Sequence, residues 1–286
     1  MGTIVEWAQV AVSWVLVQFV DLYAAIFGLG SGHTWTLAFV SMALLVTVIL
    51  AYPTRRQLEM QRLTWEITPV TMQVARVYKH DKAKGNAERR RIQRHFGYSI
   101  WWQLVPTFLS LAVFLALNSV VEGLATDAPR GVFTWPQYAG YEDAAQKATF
   151  LGVPYPTGLQ TIGQSPTPWL SVVVILGLLA LMIPVNATLQ RQINGPLATN
   201  KWMRRQQRIS LYAQPFVLLM LVIAFNVAVG VMVFQLAGDL FSLGIQTWLL
   251  RRRPIPPIDT EWLNRVVAEL PDAGSGDPSG IRRSPQ

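Results

Sequence analysis

Between Pro215 and Leu250 the chain runs for 36 residues with Asp239 as its only charge. One helix of that length would extend about 54 Å, nearly twice the ~30 Å hydrocarbon thickness of a bilayer. The run must therefore fold back on itself, and Asn226 to Gly230 carries residues suited to the turn. Two membrane-length helices result. In the second, Gln235, Asp239, Ser242 and Gln246 recur at i, i+4, i+7 and i+11, which places them on one helical face. A carboxylate at mid-membrane depth is costly unless it faces protein or water. The stripe therefore marks either a functional lining or a packed polar seam.

Long uncharged runs recur along the chain, and composition follows them. Of 286 residues, 51% are hydrophobic and 14% charged, against about 25% charged in an ordinary soluble domain. The formal net charge is +8, but the basic residues gather in the stretches between apolar runs. That placement is a topology signal and argues against sequence-specific nucleic-acid binding. With no cysteine there is no disulfide framework, no thiolate metal site and no cysteine nucleophile. His33, His80 and His95 lack metal-ligand spacing. No glycine-rich phosphate loop and no nucleophile elbow occurs, so neither an enzyme nor a cofactor is expected.

In chain order, residues 4–28 are apolar but interrupted by Glu6, Gln9, Ser13, Gln18 and Asp21. They predict a helix lying along the membrane surface, with a sixth span as the competing reading. No basic n-region precedes this stretch, unlike a cleaved signal peptide. Residues 34–53 predict the first span, ending at Tyr52-Pro53. Thr54 to Tyr98 carries eleven Lys or Arg against four acids and predicts a cytoplasmic hairpin. Its arms are Arg55 to Lys79 and Ala87 to Phe96, broken at His80 to Asn86. Residues 100–121 form the second span, with Trp101 and Trp102 as interface anchors. The loop from Glu122 to Pro168 holds four acids and two bases and reads as external. Residues 169–189 form the third span. Arg191 to Arg208 adds five bases and no acid, so it reads as cytoplasmic, and the closing hairpin returns the chain to Arg251-Arg252-Arg253. The fold class expected is an all-α membrane protein: five spans, an N-terminal surface helix (1–30), a core (31–253) containing the hairpin (54–98) and the outer loop (122–168), and a short cytoplasmic tail (254–286). A short amphipathic piece opens the tail around Trp262 to Leu270, and the end beyond it reads as disordered. The N-terminus lies outside and the C-terminus inside.

Several runs carry a resemblance. They are Gly30-Ser31-Gly32-His33-Thr34-Trp35, Tyr52-Pro53 with the arginine-rich helix after it, Ile67-Thr68-Pro69, Val77-Tyr78-Lys79-His80-Asp81, Pro106-Thr107-Phe108-Leu109, Val113 to Leu117, Arg208 to Pro215, and Gly230 to Gln246. In this order they resemble the YidC/Oxa/Alb membrane protein insertase family, in its short actinobacterial form, over residues 1–253. The resemblance implies a protein of the bacterial plasma membrane that passes nascent hydrophobic segments into the lipid bilayer without a cofactor. It also implies contact with a ribosome, a translocon or other membrane-complex subunits through the basic loops. The family's insertases usually carry one arginine in the first span, five residues before the Pro, and here that position is Val48. Trp101-Trp102-Gln103 replaces the family's small-residue run. The aromatic pair opening the last span becomes Phe234-Gln235, and its usual Asn becomes Asp239. The expected groove thus exchanges a lone positive charge for a lone carboxylate.

Gln103, Ser110 and Asn118 fall on roughly one side of the second span, opposite Gln235, Asp239 and Ser242. These six are the expected substrate-binding residues of a polar, cytoplasm-open groove. The same residues read equally well as hydrogen-bonding groups that hold helices together. Two other readings accompany the insertase: a scaffold or assembly subunit with the insertase fold, and a small transporter coupled through Asp239. The last is weakened by the absence of an inverted repeat or a second acid. Since the chain has no cysteine, the topology is directly testable. A single cysteine at Gln137 should react with a membrane-impermeant maleimide in intact cells, and one at Lys82 only after permeabilisation.

Overall fold

The computed structural model describes residues 2–126, 128–194, 201–252 and 259–269. Within them the chain is helical almost throughout: α1 (Gly2–Phe27), α2 (Gly32–Val77), α3 (Lys82–His95), α4 (Ile100–Ala125), α5 (Ala139–Lys147), α6 (Pro168–Asn194), α7 (Lys201–Ala224), α8 (Val229–Arg252) and α9 (Thr260–Ala268). Two short strands, β1 (Thr149–Phe150) and β2 (Val153–Pro154), pair antiparallel in the loop before α6. Their connection, Leu151 and Gly152, has φ of 52° and 84°. Two successive positive φ values make the tight hairpin turn whose twist matches paired strands.

Five helical segments are long and apolar enough to cross a membrane: Val5–Phe27, Gly32–Gln61, Ile100–Ala125, Pro168–Arg191 and Val229–Trp248. The protein is an all-α membrane protein, as the sequence predicts. The set differs from the expected one in two respects: α7, expected as the first span of the closing hairpin, is not among the five, and α1 qualifies by length and composition. Its polar contacts run sideways. Gln9 Nε2 donates to Ser119 Oγ at 2.7 Å, and Val132 N donates to Ser13 Oγ at 2.9 Å. Further along, Tyr141 bonds Asp21 and Tyr23 bonds Ser41. From Gln9 to Tyr23, α1 thus touches the loop end of α4, the loop itself and α2. The turn of the closing hairpin forms as predicted: α7 ends at Ala224 and α8 begins at Val229, with Asn226 at φ 44° between them. The stretch between Asn194 and Lys201 and the tail beyond residue 269 lie outside the described residues.

The first span and the first hairpin arm are one helix, not two. Helix α2 runs 46 residues through Pro53 and Pro69, about 69 Å at 1.5 Å per residue. Each proline removes one backbone hydrogen bond. Packing outweighs that loss: α2 lies on α8 before Pro53 and on α3 and α9 beyond it. The break before α3 is also shorter than predicted. Asp81 caps the new helix by accepting from Lys84 N at 3.0 Å, so Gly85 and Asn86 are helical. A Cβ on Gly85 would stand 3.1 Å from Tyr78 Cβ, which is why glycine suits that crossing.

Two apolar cores result. The larger joins α1, α2, α4, α6, α7 and α8 with the loop. The smaller joins Met60, Leu63, Ile67, Val70 and Val74 of α2 to Ile92 of α3 and to Leu263 and Val266 of α9. Helix α9 is clipped there by Trp262, which stacks on His95 at 3.8 Å with the rings 3° apart.

Helices α2 and α8 are pinned at their loop ends. Val229 N and Gly230 N, unpaired within α8 because they open it, donate to the carbonyls of Thr157 (2.9 Å) and Tyr155 (3.0 Å). The Tyr155 hydroxyl donates to Gly32 O at 2.9 Å and also bonds Thr36, both on the first turn of α2. A Cβ on Gly230 would lie 2.8 Å from Phe39 Cζ, so only glycine permits this approach. Burial pushes the Tyr155 phenol up to about 12, against an opposing hydrogen bond from Thr36.

Gly230→Val should lower the melting temperature in detergent, whereas Gly177→Ala, with nothing within 4 Å of the added methyl, should not. Tyr155→Phe should cost about 1–2 kcal/mol, because it removes the hydroxyl that bonds both Gly32 O and Thr36 on the first turn of α2. The raised pKa means that ionisation opposes folding, so the phenol's contribution is complete below its unfolded value near 10. The gap in stability between the parent chain and Tyr155→Phe should therefore narrow as pH rises from about 10 toward 12.

Candidate functional site

From the pinned end, α2 and α8 run toward the hairpin with α4, α6 and α7 around them, and the five helices enclose a cavity of about 530 Å³. Its lining is graded. Near the loop end it is apolar, with Phe114, Val222, Val227 and Met232. At mid-depth Thr47, Asn186, Gln235, Asp239 and Ser242 face it, and Arg55, Gln57, Gln190 and Gln246 line the end toward the hairpin. Depth can be followed across helices, since a Cβ on Gly238 would come 3.9 Å from Thr47 Oγ1. Thr47 and Asp239 are therefore nearly level.

Asp239 is 8% exposed. Asn186 Nδ2 donates to its Oδ2 at 2.6 Å, and Gln235 Nε2 donates to its Oδ1 at 3.1 Å. Asn186 is held in turn by a 3.1 Å bond from the same Nδ2 to Met182 O. The carboxylate therefore meets amide dipoles, and among the described residues it has no cationic partner. Gln246 is 7% exposed and its Oε1 accepts no hydrogen bond. Among the described residues no three His, Asp or Glu are grouped to hold a metal ion.

Of the six residues singled out in the sequence, four line the cavity: Ser110, Gln235, Asp239 and Ser242. Gln103 lies beyond its hairpin end. Gln103 Nε2 donates to Thr64 Oγ1 at 3.1 Å, and Tyr98 donates to Gln103 Oε1 at 3.2 Å. Asn118 lies beyond its loop end and grips the α7–α8 turn. It donates to Phe225 O at 2.9 Å and accepts from Ala228 N at 3.4 Å. The expected common face fails for two physical reasons. Fifteen residues of helix separate the pair by about 22 Å in depth, and eight residues rotate Asn118 by about 80° from Ser110.

The arginine question also changes. Val48 is 55% exposed and does not line the cavity. Because α2 continues through Pro53, Arg55 is carried onto the lining instead, with its Nε 3.1 Å from Glu59 Oε1. Arg56 also reaches Glu59, at 3.0 Å, and lies over the Tyr52 ring at 5.8 Å. The expectation of a cavity without positive charge is therefore corrected: it has an arginine at its hairpin end, paired with an acid. Asn186 was the other residue not foreseen. Its signal was present, since it is the first polar side chain after a run of 14 apolar or small residues from Val172.

Known proteins are similar to this chain in sequence. The family described as 60Kd inner membrane protein matches residues 26–255. A membrane protein insertase YidC of Streptomyces avermitilis is 24% identical over 264 residues, which cover 90% of this chain and 60% of that protein. The YidC insertase of Mycobacterium leprae is 26% identical over 106 residues, 37% of this chain and 28% of the relative. That of Mycolicibacterium paratuberculosis is 26% identical over 110 residues, 38% and 31% of the two chains. The chain thus spans 60% of the length of the Streptomyces relative. With most of its length matched, and with the five apolar helices in place, the chain belongs to the 60Kd inner membrane protein family, the YidC/Oxa/Alb insertases.

Proposed function

We propose that this protein is a membrane protein insertase, which takes hydrophobic segments of nascent proteins into the cavity between α2, α4, α6, α7 and α8 and releases them sideways into lipid. The observation that carries this reading is the graded lining. A polar segment entering hydrocarbon loses several kcal/mol for each unpaired polar group. A cavity with hydroxyls, amides and one carboxylate at mid-depth lowers that cost step by step, and burial of the apolar part of the substrate drives release. No cofactor is required.

The eleven basic residues between Thr54 and Tyr98 support a cytoplasmic hairpin end by the positive-inside rule. The cavity then opens toward the ribosome side, and the loop with Tyr155 faces outward. Helix α1, tied along its length to the loop end, rests on the outer surface. The basic face of α3 offers contact to a ribosome, a translocon or other membrane-complex subunits. The insertase names of the relatives support the same reading.

A second reading is favoured by one feature: both oxygens of Asp239 are already occupied by side chains of α6 and α8. On that account the seam is a structural joint, and the protein is a non-inserting scaffold of a larger membrane complex. Photoreactive residues at positions 110 and 235 separate the two. An insertase should crosslink to many nascent membrane segments, and translation arrest should abolish the products. Crosslinks to one or two mature proteins, unaffected by arrest, would establish the scaffold. The double substitution Ser110→Leu with Ser242→Leu makes the lining apolar without touching the Asp239 pairs. It should reduce insertion in a depleted strain roughly tenfold, equivalent to ~1.4 kcal/mol, while leaving the melting temperature within a few degrees.

A further inference from the structure

Resting on the insertase reading, we propose that the cavity selects segments that carry a positive group, a lysine, an arginine or a free amino terminus, in the polar stretch that enters it. Three observations at the site converge on this. Asp239 is buried, and among the described residues only neutral amides donate to it. A carboxylate offers about four lone-pair positions, and the two amides fill two of them. Gln246 supplies a second acceptor, more than nine-tenths buried and without a donor.

The position of the charges completes the case. Thr47 is level with Gly238, so Arg55, eight residues further along α2, sits about 12 Å nearer the hairpin end. Gln246, seven residues beyond Asp239 on α8, sits about 10 Å nearer the same end. Arg55 is held by Glu59, and Arg56 does not line the cavity. A segment moving inward therefore passes the paired Arg55 and meets an acceptor at Gln246, a hydroxyl at Ser242 and then a carboxylate that has no counter-ion among the described residues. Ammonium and guanidinium groups are donors only, so they satisfy each of these three acceptors. An acidic side chain finds only neutral amide and hydroxyl donors near Asp239 and meets like charge there. A buried charge that is only solvated by dipoles gains further when paired.

The test uses the full-length protein in vesicles with no imposed potential, so that the field favours neither charge. Three versions of one single-span substrate differ at one position in the translocated polar tail: lysine, glutamine or glutamate. At about pH 8, well above the ordinary carboxylate range, lysine should insert faster than glutamate by about fivefold or more, the water-like limit for one contact ion pair. Glutamine should fall between them. Asp239→Asn should bring the three rates together, Asp239→Glu should keep the order, and Asp239→Lys should invert it. Equal rates for the three substrates in the unmodified protein would overturn the selectivity and leave the insertase reading standing. No insertion of any of them, glutamine included, would overturn both. The comparison within the unmodified protein decides the matter even if a variant fails to fold.

Discussion

Everything in the bundle depends on where α2 and α8 are allowed to touch. At the loop end residue 230 has no side chain, and the Phe39 ring occupies the space that a Cβ would need. The first amides of α8 would be costly orphans at that depth, and the loop before α6 supplies their acceptors. Tyr155 joins the two requirements, since its carbonyl receives α8 and its hydroxyl holds the opening turn of α2. With both helices fixed at one end, the cavity is confined to the other. Its floor is apolar where packing is tight, and it becomes polar toward the hairpin end.

That arrangement explains how much of the protein could be read in advance. Hydrophobic run length alone separates spans from loops, so the fold class and the turn near Asn226 were legible. The stripe on α8 was legible for the same reason, since its members share one helix and periodicity fixes their relation. Contacts across helices were not. Whether Gln103, Ser110 and Asn118 face a common space depends on depth and rotation relative to α2 and the α7–α8 turn, and no single-helix pattern records either. Asn186 was visible as a polar interruption, but its partner on α8 was not.

Proline misled in a specific way. Tyr52-Pro53 looks like the end of a span because proline lacks a donor and disfavours helical geometry before it. Here the helix has tertiary contacts on both sides, and a single lost hydrogen bond does not break it. The consequence reaches the site. Had the chain bent at Pro53, Arg55 would belong to the hairpin alone. Because it continues, the register of the span extends to Arg55 and sets it on the cavity wall.

Asp239 then answers two demands at once, and this is what makes the joint and the groove compatible. Its hydrogen bonds to Asn186 and Gln235 tie α6 to α8 and orient the carboxylate. A fixed dipole pair solvates the charge without cancelling it, so the negative potential still reaches the cavity. A cationic partner from α2 or α4 would have closed the seam completely and left only a structural role. Among the described residues the nearest lining arginine is instead held by Glu59, more than two helical turns away. The protein keeps the acid positioned, and among the described residues no cation pairs with it.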